Sequence, residues 1–168
     1  MPLATPYWRR RREFLRGLAL FADSTEAELR AFDRQAGEIW VERGTDLMRE
    51  GARGVEFAVI ADGRVQVART GAVIADLGPG DFIGELALLD DRARTATVTT
   101  TARTRLLVLG PDEFASMMRD VPSVRAQVDD AAAVRREGVP VVPAPRVTPA
   151  RMAPPPAARR RRLLGTWR

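Results

Sequence analysis

Between residues 37 and 110 the chain is divided into short apolar, β-branched segments by glycine and proline. Val55–Ile60 is one such segment, and the Asp62-Gly63 pair that follows it predicts a tight hairpin. Further segments lie at Val73–Ala75, Ala96–Thr101 and Leu106–Leu109. None is long enough for a buried helix, and antiparallel strands are the elements that short segments with such turns form. The pattern therefore predicts a small β-barrel or roll.

Helical patterns precede the strand region. Residues 9–21 predict a short helix with Leu15 and Leu18 on its apolar side. Thr25 is a candidate N-cap for a second helix over residues 25–36, and Glu28 lies three residues later as its capping-box partner.

Two more helices are predicted after the strands. Pro111 is typical of the first helical turn, and the acids that follow it suit the positive end of the helix dipole. Residues 120–122 end this helix, and the next one ends near Gly138. Its apolar positions recur at spacings of three and four, which indicates packing on the barrel or, as the alternative, a dimer seam. These positions are Val121, Val124, Val128 and Ala131.

Basic charge is concentrated at the two ends. All 27 basic residues are arginine; residues 1–12 hold four and residues 139–168 hold seven, with no acid in either segment. The part between them has 16 arginines against 22 acids, which argues against a broad nucleic-acid-binding face there. The terminal arginine runs predict solvated charge, with contact to nucleic acid or an anionic membrane as the alternative. Residues 139–168 also contain seven prolines, which predicts a disordered tail.

The chain contains neither cysteine nor histidine. Disulfides, Cys- or His-ligated metals and His-based catalytic triads are therefore excluded. No nucleophile–base pair is evident, so we expect neither an enzyme nor a metal cofactor. No apolar run approaches the roughly 18 residues of a membrane span, and the N-terminus lacks the apolar centre of a signal peptide. We therefore expect a cytoplasmic protein.

Residues 80–98 combine glycines, one acid and one base in an otherwise apolar segment. Gly84 allows close backbone approach, and a short helical turn beginning at Glu85 would direct its free N–H groups at an anion. Arg94 could bind the same anion, with Thr95 as a further donor. A carboxylate accepts only, so Glu85 should meet donors such as a sugar hydroxyl. The set fits a phosphate beside a ribose hydroxyl, with apolar walls for a flat base.

This segment resembles the phosphate-binding cassette of cyclic nucleotide-binding domains. That family includes the bacterial catabolite activator protein, the regulatory subunits of protein kinase A and the cyclic nucleotide-gated channels. The resemblance extends from about Glu13 to Gly138 and implies a mainly β fold with flanking helices: a β-roll or jelly-roll barrel of about eight short strands, N-terminal helices and C-terminal B and C helices. The matching residues are Ile83–Leu88 and Arg94–Val98 in the cassette, and Gly51, Gly54, Phe57–Ile60 and Gly63 upstream.

The resemblance also implies a role for each candidate residue. Glu85 would accept from the ribose 2′-hydroxyl, and Arg94 would pair with the cyclic phosphate. Thr95 would contact phosphate or base, and the backbone would line the phosphate. In a purely structural alternative, Glu85 pairs with Arg94, and Val67 and Ile74 are core residues. The candidate ligand-binding residues are Gly84, Glu85, Leu86, Ala87, Arg94, Thr95, Val67 and Ile74.

We therefore expect three segments: a basic N-terminal segment over residues 1–12, a cyclic nucleotide-binding domain over residues 13–138 and a Pro/Arg-rich tail over residues 139–168. The expected function is a sensor of cAMP or cGMP that relays binding through its C-terminal helices to a protein effector, with homodimerisation possible. The alternative is a relative of the catabolite-activator type of transcription regulator, with DNA contact through a partner or the basic tail.

Overall fold

The computed structural model describes residues 7–137, and within them eight antiparallel strands form two four-stranded sheets. The strand order is β1-β8-β3-β6 in one sheet and β2-β7-β4-β5 in the other. The predicted β-roll with flanking helices is confirmed. The strands are β1 Gly37–Val41, β2 Asp46–Met48, β3 Phe57–Asp62, β4 Val65–Arg69, β5 Ala72–Leu77, β6 Phe82–Ile83, β7 Thr97–Thr100 and β8 Thr104–Leu109.

Five α-helices flank the described strands, and the first is shorter than predicted. The expected helix over residues 9–21 is interrupted at Gly17, because Leu18 adopts an extended backbone with φ −84° and ψ 136°. A single 3-10 turn then covers Ala19–Phe21. The predicted tail after residue 138 lies outside the described residues. The helices are α1 Tyr7–Arg16, α2 Glu26–Gln35, α3 Glu85–Leu89, α4 Pro111–Asp120 and α5 Pro122–Arg136.

The hairpin predicted at Asp62-Gly63 is wrong. β3 and β4 belong to different sheets and do not pair, so this turn carries the chain from one sheet to the other. Gly63 has φ +89°, and a Cβ there would lie 2.5 Å from the carbonyl oxygen of Arg103. The tight hairpin occurs instead between β4 and β5, where Thr70 and Gly71 have φ +49° and +80°. Sequence reasoning missed it because a β-branched residue rarely adopts positive φ.

The central strands β3 and β8 are buried on both faces. Phe57 and Val59 point to the layer of helices, whereas Ala58 and Ile60 point into the barrel between the sheets. Because both faces of each strand are buried, apolar residues occupy successive positions in the sequence instead of every second position. The cluster on the helix side includes Val124 and Val128 of α5 and Val121, which precedes that helix, so the predicted packing of α5 on the barrel is confirmed.

Glu28 connects the beginning of α2 to the beginning of α5. Its carboxylate accepts from the backbone N–H of Thr25 at 2.7 Å, while the Thr25 hydroxyl accepts from the Glu28 N–H, which completes the predicted capping box. The other carboxylate oxygen accepts from the Ser123 N–H at 3.0 Å. Burial alone would raise the pKa of the Glu28 carboxyl, but the hydrogen bonds from Ser123 and Thr25 hold it below its ordinary value of 4.5.

We expect Glu28→Ala to lower the free energy of unfolding at pH 7 by about 1 kcal/mol, because it removes contacts at two helix starts. Since the folded-state pKa is lowered, the stabilisation is complete above the unfolded pKa and is lost as the pH falls through the folded pKa. The difference between wild type and variant should therefore be smaller at a pH below 4.5 than at pH 7. Denaturant titrations at both pH values measure it, with Asp130→Ala on the exposed side of α5 as the control. An equal difference at both pH values would contradict this assignment.

Candidate functional site

All eight candidate residues line one cavity, which lies between β4, β5, α3 and the segment that enters β7. The space between its lining residues is about 670 Å³, and it includes open solvent. The structure thus brings together residues 67, 74, 84–87 and 94–95, whose separations in the chain reach 28 positions. Arg69 and Arg135 also line the cavity, and neither was identified from the sequence.

The approach to α3 depends on a left-handed glycine. Gly84 has φ +92° and is the N-cap residue, and a Cβ there would collide with the carbonyl oxygen of Glu56. No side chain caps α3, so the N–H groups of its first turn have no partner within the helix. The predicted helical turn beginning at Glu85 is therefore present, with its positive end at the cavity.

The side chain of Arg94 is buried beneath this turn, with 6 % of the residue exposed. Its Nη1 donates to the carbonyl oxygen of Gly84 at 3.1 Å, and its Nη2 donates to the carbonyl oxygen of Glu56 at 2.8 Å. Nη2 also lies 3.4 Å from Oε2 of the Glu56 carboxylate. Burial lowers the pKa of the Arg94 guanidinium below its ordinary value, and the charges of Glu56 and Glu85 oppose that change. The group is a desolvated cation at the cavity.

Two glycines make room for the Arg94 side chain. A Cβ at Gly54 would overlap with Nε, and a Cβ at Gly84 would lie 2.8 Å from Nη1. The backbone of Arg94 is fixed as well, because its N–H donates to the Ala52 carbonyl oxygen and its carbonyl oxygen accepts from the Gly51 N–H, both at 2.8 Å. The upstream glycines of the sequence motif therefore determine where this cation lies.

Glu85 is 2 % exposed, and its partner is not Arg94. Its Oε1 forms an ion pair with Nη1 of Arg135 on α5 at 2.8 Å, and the Arg135 guanidinium lies 4.8 Å from the centre of the Phe82 ring. The structural alternative of a direct Glu85–Arg94 pair is wrong. Sequence reasoning missed Arg135 because basic residues in a last helical turn are common for electrostatic reasons alone.

Arg69 contributes a second unpredicted cation. Its Nε donates to the carbonyl oxygen of Thr95 at 3.1 Å, and its side chain lines the cavity with Val67 and Ile74. Val67 and Ile74 are half-buried, and Val67 packs against the core between the sheets. A signal for Arg69 was available, because it follows Val67 by two positions and strand residues with that spacing share a face.

Residues 7–137 lack two features, a metal-binding cluster and a membrane-spanning helix. They contain no group of three or more Asp, Glu, His or Cys that could hold a metal ion. No described helix is long and apolar enough to cross a membrane.

Comparison with known proteins gives one family. The sequence profile of the cyclic nucleotide-binding domain matches residues 38–121, half of the chain. The chain is 30 % identical over 135 residues to a cGMP-dependent protein kinase of Drosophila melanogaster, isozyme 2 forms cD5/T2, covering 76 % of this chain and 14 % of the kinase. It is 39 % identical over 83 residues to the cAMP-dependent protein kinase regulatory subunit of Yarrowia lipolytica, covering 48 % of this chain and 22 % of that subunit.

A solved structure supports the same assignment. The catabolite activator protein of Thermus thermophilus superposes with a TM-score of 0.61 at 27 % identity, covering 71 % of this chain and 58 % of that one. The chain spans less than a quarter of the length of either kinase relative, so the resemblance concerns a single module of those proteins. The profile match, the β-roll and the cassette at the cavity together show that the chain belongs to the cyclic nucleotide-binding domain family.

Proposed function

We propose that the cavity binds a 3′,5′-cyclic nucleotide, cAMP or cGMP, and that the chain acts as a regulatory sensor module. The observation that carries this proposal is the juxtaposition of a buried guanidinium, Arg94, with an uncapped helix start and a buried carboxylate, Glu85, beside an apolar wall. A cyclic nucleotide presents one negative charge, one ribose hydroxyl and one flat base. The cavity offers a separate partner for each of these groups.

Arg94 takes the phosphate in this proposal. A guanidinium has five N–H donors, and the contacts of Arg94 with Glu56 and Gly84 leave donors for an anionic oxygen. The N–H groups at the start of α3, from Glu85 to Ala87, supply further donors, and the positive end of the helix dipole favours the same charge. Leu86 lies in this first turn and faces the cavity.

The remaining candidate residues contact mainly the sugar and the base in this proposal. Glu85 accepts the ribose 2′-hydroxyl, and Thr95 donates to phosphate or base. Val67 and Ile74 contact the base from β4 and β5. Both wall residues are partly exposed in the described structure, so a base stacked on them would remove apolar surface from water.

The proposed output is conformational and not catalytic. Residues 13–138 form the sensing domain, and α5 passes the state of α3 to a protein effector or to a second copy of the chain. The relatives support this part, because the Yarrowia lipolytica relative is a kinase regulatory subunit. The cytoplasmic location expected from the sequence stays a prediction.

Isothermal titration with cAMP and cGMP tests the proposal, with 5′-AMP and 5′-GMP as acyclic controls. We expect saturable binding of at least one cyclic nucleotide by the wild type. Arg94→Gln should weaken it roughly ten- to a hundredfold, because a charge-assisted hydrogen bond contributes about 1.5–3 kcal/mol. Arg92→Gln, two residues away with its side chain 43 % exposed, should bind as the wild type does. Absence of binding by folded wild-type protein at millimolar ligand would contradict the proposal.

Gly54→Ala should weaken cyclic nucleotide binding about as much as Arg94→Gln does, without any change in a residue that contacts ligand. The added methyl group occupies the space of Nε and displaces the guanidinium. Gly78→Ala is the matched control, because a Cβ there meets no atom closer than 3.9 Å. Titration and thermal melting of both variants measure the effect. Unchanged affinity in Gly54→Ala would show that the position of Arg94 is not what the ligand requires.

A further inference from the structure

Three of the described arginines line the cavity, and they differ in their anionic partners. Arg94 lies 3.4 Å from the carboxylate of Glu56. Arg135 pairs with Glu85 at 2.8 Å. Arg69, the last residue of β4, forms no ion pair with a carboxylate in the part of the chain that the structure describes. Its charge is therefore available to a group that enters the cavity.

The described structure uses one of the three nitrogen atoms of the Arg69 guanidinium. Its Nε donates to the carbonyl oxygen of Thr95 at 3.1 Å, which holds the group beside the cassette. Nη1 and Nη2 donate to no residue of the described range and carry the remaining N–H groups. Because the guanidinium is planar and rigid, these donors match two acceptors that lie side by side.

The position of Arg69 places these donors beside the proposed base site. Val67 lies two residues earlier on β4 and lines the same cavity, as Ile74 on β5 does. Alternate residues of one strand are about 7 Å apart. A base that stacks on Val67 and Ile74 therefore brings one of its edges within reach of the Arg69 guanidinium.

The two purines differ on the edge that carries N7. Guanine presents two neighbouring acceptors there, N7 and O6, whereas adenine presents the N7 acceptor beside the N6 amino donor. An arginine side chain has donors only. It satisfies both positions of guanine, but with adenine one of its N–H groups meets another donor. A two-point contact from arginine to this edge thus favours guanine.

We infer that Arg69 determines the specificity for the base, and that the cavity prefers cGMP to cAMP because Nη1 and Nη2 donate to O6 and N7 of guanine. This inference rests on the proposed function, since it requires a cyclic nucleotide whose base lies on β4 and β5. It assigns base selection to a residue that lies outside both the cassette and the upstream glycine motif.

Isothermal titration of the wild type with cGMP, cAMP and cIMP tests which part of the base is recognised. cIMP keeps O6 and N7 of guanine but lacks the 2-amino group. We expect cGMP and cIMP to bind roughly tenfold or more tightly than cAMP, as one two-point base contact provides. Equal affinities for cGMP and cAMP, or tighter binding of cAMP, would overturn the inference and leave the proposed function standing. Binding of cIMP as weak as that of cAMP would also overturn it, because the 2-amino group would then determine the preference.

Arg69→Gln tests the residue itself. We expect cGMP binding to weaken roughly tenfold or more, while cAMP binding does not weaken, because a glutamine amide can pair with N6 and N7 of adenine. Arg64→Gln is the matched control and should bind as the wild type does, since Arg64 donates to Asp76 and does not line the cavity. Thermal melting checks that both variants fold.

Two outcomes separate this inference from the proposed function. Equal weakening of cGMP and cAMP binding in Arg69→Gln would overturn the inference alone, because Arg69 would then contact the phosphate or support the cassette through Thr95. Absence of binding of all three nucleotides by the folded wild type would contradict the proposed function, and the inference with it. The wild-type comparison with cIMP does not depend on the stability of either variant.

Discussion

A buried guanidinium determines the geometry of the site. Arg94 lies beneath the start of α3 and donates to the carbonyl oxygens of Glu56 and Gly84, which belong to segments on either side of β3. Desolvation makes such a cation costly unless its donors are satisfied, and these carbonyls satisfy part of them. Gly54 is required because any side chain there would occupy the same space. Gly54 of the upstream motif and Gly84 of the cassette lie 30 residues apart in the chain, and both make room for the Arg94 side chain.

The helix α5 is held in three different ways along its length. At its beginning the Ser123 N–H is fixed by Glu28 of α2, and in its middle Val124 and Val128 are fully buried in the core. At its end the attachment is ionic and passes through Arg135 and Glu85. Arg135 and Glu85 both line the cavity, so the end of α5 is attached to a residue of the candidate site.

Sequence reasoning succeeded where the signal is local. The capping box at Thr25 and the helix start at Pro111 both depend on short-range patterns. The sequence motifs also selected eight residues that line one cavity, and their contacts with a ligand stay a prediction. It was wrong at Asp62-Gly63, because a local turn signal does not show which sheet the next strand joins. It did not identify Arg135, since the Glu85–Arg135 contact joins residues 50 positions apart and depends on how α5 packs.

A crystal structure of the chain with the cyclic nucleotide that it binds would test the proposed site most directly. We expect phosphate oxygens within hydrogen-bonding distance of Arg94 and of the first-turn amides of α3. We also expect the ribose 2′-hydroxyl to lie on the Glu85 carboxylate. A nucleotide seated with its phosphate away from Arg94, or with its ribose away from Glu85, would contradict the proposed function.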